Sequence, residues 1–152
     1  MMLNIIGIAV LTTNVGGQSG QDIGALWQNF FANNMAAKIP GAIHPEIQYM
    51  IYMDYDEQAQ QTNALQGKYR TILGVQAPHT DKLPAGMVQV QIPAHKYEKF
   101  ALEGPVPQVV VDLWMKVWSG QLKLNRAFAP DYQVHYPAKD GHGKVDVFIS
   151  VK

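Results

Sequence analysis

The amino-acid sequence predicts an α+β fold in which two βαββ units follow one another along the chain. Apolar residues recur with helical spacing in two segments and alternate in several others, in the order β-α-β-β, an extended connector, then β-α-β-β. The halves also share local spacing, because Tyr49 follows Trp27 by 22 residues and Tyr136 follows Trp114 by 22 residues. A unit that cannot bury its own sheet face gains by pairing with a copy of itself. We therefore predict a pseudo-dimer: one antiparallel sheet system with two main helices packed on it.

Chain length is consistent with this organisation. A chain of 152 residues is expected to form one domain with a single core. We place the first repeat at about residues 1–76 and the second at about residues 86–152.

The first half opens with a strand at about residues 3–13, followed by a glycine-rich loop. Asp22 is placed to cap a helix whose apolar residues recur at i, i+3, i+4, i+7 and i+8. Aromatic and aliphatic residues predict strands at 46–53 and 69–75. Between them, the acidic and glutamine-rich segment 54–67 lacks apolar periodicity and is predicted to be an exposed loop.

The second half repeats the pattern after a connecting strand. Residues alternate with period two at 87–92 and again at 96–103, which predicts two strands. A helix is predicted over 106–118, since its apolar residues lie on one face. Strands at 132–136 and 145–151 complete the chain.

Composition excludes several classes of function. Without cysteine the chain has no disulfide, thiolate nucleophile or cysteine metal site. Lysine and arginine balance aspartate and glutamate at a net charge of +0, and no helix carries a basic cluster, so direct nucleic-acid binding is not expected. The five histidines lack metal-ligand spacing, and the glycine-rich loop matches no nucleotide-binding motif. We expect no metal and no cofactor.

Aromatic residues are the remaining signal of a site. The tyrosines lie in or beside predicted strands, where an apolar ring with a polar hydroxyl suits the wall of a partly wet pocket. An ordinary aromatic core explains them equally well, and it explains Trp27 and Trp114 better because helical spacing already gives these a packing role. The seven are Tyr49, Tyr52, Tyr55, Tyr69, Tyr97, Tyr132 and Tyr136.

Alternation separates two faces of the last two strands. Asp146 and Phe148 share one face of the final strand, where a carboxylate beside an aromatic ring could line a cation site or form a solvated edge. In the preceding strand, Gln133 and His135 share one face and Tyr136 lies on the other.

Taken in order, these residues resemble the GyrI-like effector-binding domain, the ligand domain of many AraC- and MerR-type transcription regulators. The nearest subfamily is that of stand-alone integron-cassette effector-binding proteins. The resemblance covers nearly the whole chain and is carried by residues 23–30, 49–55, 69–74, 83–87, 92–97, 114–118 and 145–152.

The resemblance implies a tandem βαββ pseudo-dimer with a pocket between the halves for amphipathic, often cationic aromatic molecules. Aromatic walls and a buried glutamate are the usual recognition elements. Gln133 stands where many relatives carry that glutamate, and Asp146 is one methylene shorter than the acid common in the last strand. If Gln133 faces the pocket, the principal charge is gone and a neutral ligand becomes possible; Asp146 or Glu98 could replace the charge.

We therefore expect a protein that binds an amphipathic aromatic molecule, neutral or cationic, in a cleft between the repeats. The alternatives are a hydrolase of a small reactive ligand, which the loss of the glutamate disfavours, and a gyrase-type protein-binding inhibitor. No catalytic residue is assigned. The predicted ligand-binding residues are the aromatic Tyr49, Tyr52, Trp118, Tyr136 and Phe148, with Asp146 as the charge and Gln133 as the neutral replacement.

Partner expectations follow from the same reasoning. The small molecule is the main partner, and a separate regulator protein could receive the signal because no DNA-binding segment is expected. We expect a cytoplasmic monomer or weak homodimer that contacts neither nucleic acid nor membrane.

Overall fold

The first repeat supplies three strands and two helices, and a connecting strand follows it. The structure is a computed structural model that describes residues 2–152. Its elements in this part of the chain are β1 (Leu3–Thr12), α1 (Gln18–Ala32), β2 (Gln48–Met53), α2 (Glu57–Gln61), β3 (Tyr69–Gln76) and β4 (Val88–Ile92).

The second repeat has the same order of strands around a single helix. Its elements are β5 (Tyr97–Pro105), α3 (Gln108–Trp118), β6 (Asp131–His135) and β7 (His142–Ser150). The predicted helix at 106–118 therefore begins two residues later than expected, and the last strand begins three residues earlier and ends one residue earlier.

All strands join one antiparallel sheet of seven strands in the order β4-β1-β3-β2-β6-β7-β5. Within it, β1-β3-β2 of the first repeat mirrors β5-β7-β6 of the second. The repeats meet where β2 pairs with β6, so that Ile51 lies opposite Tyr132 and Tyr49 opposite Val134. The predicted tandem βαββ fold with two main helices is confirmed.

The larger core lies between the helices and one face of the sheet. Helix α1 buries Leu26 and Phe30, and α3 buries Leu113 and Val117, against the sheet residues on this face. Each such side chain stabilises the fold by roughly 1.5–3 kcal/mol through its removal from water. A smaller cluster on the opposite face contains Ile5, Ile51, Ile72, Ile92, Tyr132 and Val134. We call these the helix-covered face and the open face.

The prediction of an exposed loop at 54–67 is wrong in part. This segment contains α2, whose N-cap Asp56 accepts a hydrogen bond through Oδ1 from the Ala59 amide at 2.8 Å. Its Oδ2 accepts another from the Lys68 amide at 3.0 Å. Ala59 and Ala64 are buried. Periodicity missed the helix because it is five residues long and its one buried side chain is an alanine rather than a bulky apolar residue.

Asp22 is not the cap of α1, which begins four residues earlier. The N-cap is Gly17, whose φ of 74° lies in the left-handed region that glycine adopts without strain. The Asp22 carboxylate instead accepts a hydrogen bond from the Thr12 hydroxyl at 2.8 Å and thereby ties α1 to the end of β1.

Candidate functional site

A cavity of about 550 Å³ lies between α1 and α3, with strands β2 and β6 as its floor. Small-molecule sites in proteins have volumes of roughly 300–1,000 Å³, so this space suits a small organic ligand. The helices line it with Ile23, Gly24, Trp27, Val110, Val111, Trp114 and Trp118, and the strands with Tyr52, Tyr69, Gln133 and His135.

One wall of the cavity is aromatic. Trp114 and Trp118 are four residues apart on α3, so they share a helix face and their rings stack with centroids 6.0 Å apart. The edge of Tyr52 packs against Trp114 at 5.3 Å, and Tyr69 packs against Tyr52 at 5.9 Å. Each ring is fixed by its neighbours. The wall is therefore a preformed surface for a flat apolar molecule.

The floor carries a chain of polar groups. Gln133 donates a hydrogen bond through Nε2 to the Tyr52 hydroxyl at 3.0 Å, and its Oε1 lies 2.7 Å from Nε2 of His135. An amide oxygen only accepts, so Nε2 of His135 carries the proton. Burial lowers the pKa of His135 to about 4 and raises that of Tyr52 well above its usual value, so both are uncharged at neutral pH.

This cavity has an uncharged lining. In the described part of the chain, no Asp, Glu, Lys or Arg side chain lines it. Gln133 occupies the centre of the floor and is 1% exposed. Gln133 is one of the residues that line this cavity, and its part in ligand binding stays a prediction.

A buried ion pair adjoins the aromatic wall. Arg126 donates through Nη2 to Oδ2 of Asp131 at 2.9 Å, and Oδ2 also accepts from the Tyr55 hydroxyl at 2.7 Å. The guanidinium lies over the rings of Phe128, Tyr55 and Trp114, at 4.5, 5.4 and 5.7 Å from their centroids. Because Tyr55 and Trp114 also line the cavity, this resident cation already uses part of the aromatic surface.

A second cavity of about 860 Å³ adjoins the first. Trp27, Pro107 and His135 line both, and the edge of one ring meets the other where Trp27 contacts His135 at 4.9 Å. The second cavity is bordered by the charged Glu46 and Lys144 as well as by apolar side chains. Trp27 and His135 thus separate an uncharged space from a partly charged one.

The structure brings three of the predicted ligand-binding residues together in the first cavity. Tyr52 and Gln133 lie on its floor, and Trp118 on its wall. Tyr136 borders the second cavity, and its hydroxyl donates to Asp146 at 3.2 Å.

The other three predicted residues lie on the open face of the sheet. Successive side chains of a strand point to opposite faces, so Tyr49 is directed away from Tyr52, three residues along β2. Phe148 stacks on Tyr132 at 4.6 Å on this face, and the Asp146 carboxylate lies 3.8 Å from Nζ of Lys99. A ligand role for Tyr49, Phe148 and Asp146 would thus require a separate surface.

Sequence reasoning did not select several residues that line the first cavity. Helical spacing predicts a packing role for Trp27 and Trp114, and they do pack, but each also lines the space between the helices. His135 shares the strand face of Gln133, which alternation had already indicated. Tyr55 and Tyr69 carried no signal that separated them from the remaining tyrosines.

No helix among residues 2–152 is long and apolar enough to cross a membrane. Over the same residues, no group of three or more His, Asp or Glu side chains is arranged to hold a metal ion.

Comparisons with known sequences identify relatives. The sequence pattern of the Cass2 family, described as integron-associated effector binding proteins, matches residues 2–151. YobU of Bacillus subtilis strain 168 is 25% identical over 133 residues, which cover 86% of this chain and 79% of YobU. The transcriptional regulator BrlR of Pseudomonas aeruginosa PAO1 is 29% identical over 144 residues, 90% of this chain and 48% of BrlR. The chain thus spans about half the length of BrlR.

Solved structures share the fold. The integron cassette protein VCH_CASS2 from the mobile metagenome of Vibrio cholerae is 26% identical, with a TM-score of 0.74 over 99% of this chain and 91% of that one. The structure of SAV2435 bound to tetraphenylphosphonium is 19% identical, with a TM-score of 0.73 over 99% of this chain and 89% of that one.

Proposed function

Since this chain belongs to the Cass2 family of integron-associated effector binding proteins, we propose that it binds an amphipathic aromatic small molecule in the cavity between α1 and α3. The observation that carries the proposal is the joint presence of a fixed aromatic wall and a hydrogen-bonding floor around one space of about 550 Å³. Burial of the ligand's apolar rings against the wall removes them from water and so favours binding. The polar groups of the floor orient the ligand.

Geometry of the floor supports binding in this position. Tyr52 and Gln133 come from different repeats and meet across the β2–β6 pair, so a bound molecule contacts both halves of the sheet. Trp118 extends the wall at the end of α3, where it is partly exposed and can contact a ligand that enters from solvent. The rings of the wall are held by contacts with one another, which lowers the ordering cost of binding.

Related proteins add support of a general kind. SAV2435, which has the same fold, binds tetraphenylphosphonium, a cation with four phenyl rings. BrlR carries the name of a transcriptional regulator. We therefore propose that the bound molecule acts as an effector, and that its binding changes transcription through a separate regulator protein.

Tryptophan fluorescence tests the proposal directly, because Trp27, Trp114 and Trp118 all line the cavity. Titration with a panel of neutral and cationic aromatic compounds should quench or shift the emission and raise the melting temperature. Released compounds should be chemically unchanged by mass spectrometry, since the proposal is binding and not turnover.

Two matched variants locate the binding site. Trp118→Leu removes an aromatic ring from the cavity wall and should weaken binding, measured by calorimetry, by about tenfold or more, in line with the free energy of one buried aromatic contact. Tyr49→Leu removes a ring from the open face of the sheet and should leave the affinity unchanged. Absence of any response to the panel contradicts the proposed function, and a loss caused only by Tyr49→Leu would move the site to the open face.

A further inference from the structure

The polarity of the cavity floor specifies the class of ligand more narrowly. We infer that the ligand held between α1 and α3 is an uncharged aromatic compound that carries a hydrogen-bond acceptor. This inference rests on the proposed function and adds the charge and the polar group of the molecule. It is carried by the hydrogen bonds of three side chains, Tyr52, Gln133 and His135.

The hydrogen bond between Gln133 and the Tyr52 hydroxyl has a defined direction. A tyrosine hydroxyl has one proton to donate and can also accept. The Tyr52 hydroxyl accepts from Nε2 of Gln133 at 3.0 Å, so its own proton is left for another partner. Among the described residues no acceptor lies within hydrogen-bond distance of that proton. Tyr52 thus lines the cavity and has a hydroxyl proton that no described residue accepts.

The neighbouring tyrosine provides an internal contrast. The Tyr69 hydroxyl also belongs to a residue that lines the cavity, but it donates to Oδ1 of Asn14 at 2.5 Å. Its proton is therefore already used within the protein. Of these two hydroxyls, only that of Tyr52 has a proton to offer a ligand.

The cavity lining also restricts the charge of the ligand. A buried ligand charge needs an opposite charge or it loses more by leaving water than it gains from contact. The lining of this cavity offers neither a carboxylate nor a cationic group, since Gln133 is an amide and His135 is held neutral. The nearby Arg126 is paired with Asp131, so it leaves no net charge to attract an ion.

The resident guanidinium strengthens the case against cations. Arg126 lies against Tyr55 and Trp114, two of the rings that also line the cavity. A cationic ligand would have to share the electron-rich faces of these rings with the guanidinium that already lies against them. A neutral ligand meets no such opposition.

Three compounds with the same two-ring skeleton test the inference. Diphenylmethane has no polar group, benzophenone adds a carbonyl acceptor, and benzhydrylammonium adds a positive charge. Calorimetry at neutral pH should give benzophenone an affinity about two- to tenfold above that of diphenylmethane, as expected for one hydrogen bond. Benzhydrylammonium should bind at least about tenfold more weakly than benzophenone.

A pair of tyrosine variants tests the donor. Tyr52→Phe removes the hydroxyl and should abolish the advantage of benzophenone over diphenylmethane. Tyr69→Phe, the matched control, should preserve the advantage. Because benzophenone is photoreactive, irradiation of its complex should label residues that line the cavity, which checks the site even in a destabilised variant.

The outcomes separate the inference from the proposed function. If none of the three compounds binds and no aromatic compound in the wider panel does, the proposed function fails. If benzhydrylammonium binds as tightly as benzophenone or more tightly, or if Tyr52→Phe leaves the benzophenone advantage intact, the function stands and the inference is overturned.

Discussion

Arg126 and Asp131 form an ion pair of 2.9 Å in the interior of the protein, with their side chains 3% and 0% exposed. Asp131 also accepts hydrogen bonds from the amide and hydroxyl of Ser150, at 2.7 and 2.9 Å. The pair thus links the segment before β6 to the end of β7, next to the aromatic wall. An ion pair so enclosed is costly to break from one side, because the remaining charge stays buried.

Replacement of Arg126 by Met should therefore destabilise the protein by about 3–5 kcal/mol. Urea denaturation followed by circular dichroism measures the change. Arg70→Met is the matched control, since Arg70 pairs with Asp54 at 3.5 Å on the surface and should contribute no more than about 1 kcal/mol. Equal losses for the two variants would show that burial of the Arg126 pair is unimportant.

Stability should fall with acid because His135 is buried in its neutral form. Its pKa is lowered to about 4 in the folded protein, whereas in the unfolded chain it takes the ordinary value of 6.5. The unfolded state therefore binds a proton first as the pH falls. The contribution of this group to stability is complete above pH 6.5 and is lost between about 6.5 and 4, by about 3 kcal/mol in total.

His135→Gln removes that titration and should flatten this part of the pH dependence. The measurement is the free energy of unfolding at several pH values, compared between the variant and the original protein. His95→Gln serves as the control, because His95 is exposed. A pH dependence unchanged by His135→Gln would contradict the assignment.

Charge selectivity should reverse when Gln133 becomes Glu. The new carboxylate would lie on the cavity floor and attract benzhydrylammonium, which should gain at least about tenfold in affinity relative to benzophenone. The carboxylate would also raise the pKa of the adjacent His135, whose proton would offset part of the charge. The double variant Gln133→Glu, His135→Gln should show the larger gain, and calorimetry that finds no gain in either would refute the electrostatic argument.

The bend at Gly67 provides a test of local packing. Gly67 has a φ of +83°, and a Cβ atom there would overlap the Ala59 backbone and Oδ1 of the α2 cap Asp56. Gly67→Ala should cost at least about 2 kcal/mol. Gly120→Ala has a similar φ of +78° but open space around it, so it should cost only about 1 kcal/mol. Thermal unfolding distinguishes the two, and equal effects would mean that the overlap is relieved without cost.

The fold could be predicted from the sequence because both repeats show clear apolar periodicity. Alternation in strands and helical spacing in helices reflect which face of each element is buried. Both faces of this sheet carry enough apolar residues for these patterns to be recognised in the sequence. The site was harder to predict, because aromatic residues lie on both faces of the sheet. Tyr49 and Tyr52 look alike in sequence, yet Tyr52 lines the cavity on the helix-covered face while Tyr49 lies on the open face, and this difference depends on the three-dimensional packing.

The buried ion pair shows a different limit. Arg126 lies in a stretch without apolar periodicity, and one of its partners, Asn63, is 63 positions away in the chain. An isolated arginine in such a segment is ordinarily solvated. The rings of Tyr55, Trp114 and Phe128 surround Arg126 only in the folded protein. No local sequence pattern therefore predicts that Arg126 is buried.

The meeting of the two repeats at the β2–β6 pair has a consequence for how such a binding site can diversify. One copy of the duplicated unit contributes the hydroxyl donor Tyr52, and the other contributes the amide Gln133 that directs it. Each copy can therefore change its own contribution while the other keeps its half of the sheet intact. A duplicated scaffold of this kind can acquire a new ligand through a single substitution at the junction, because neither hydrophobic core has to be rebuilt.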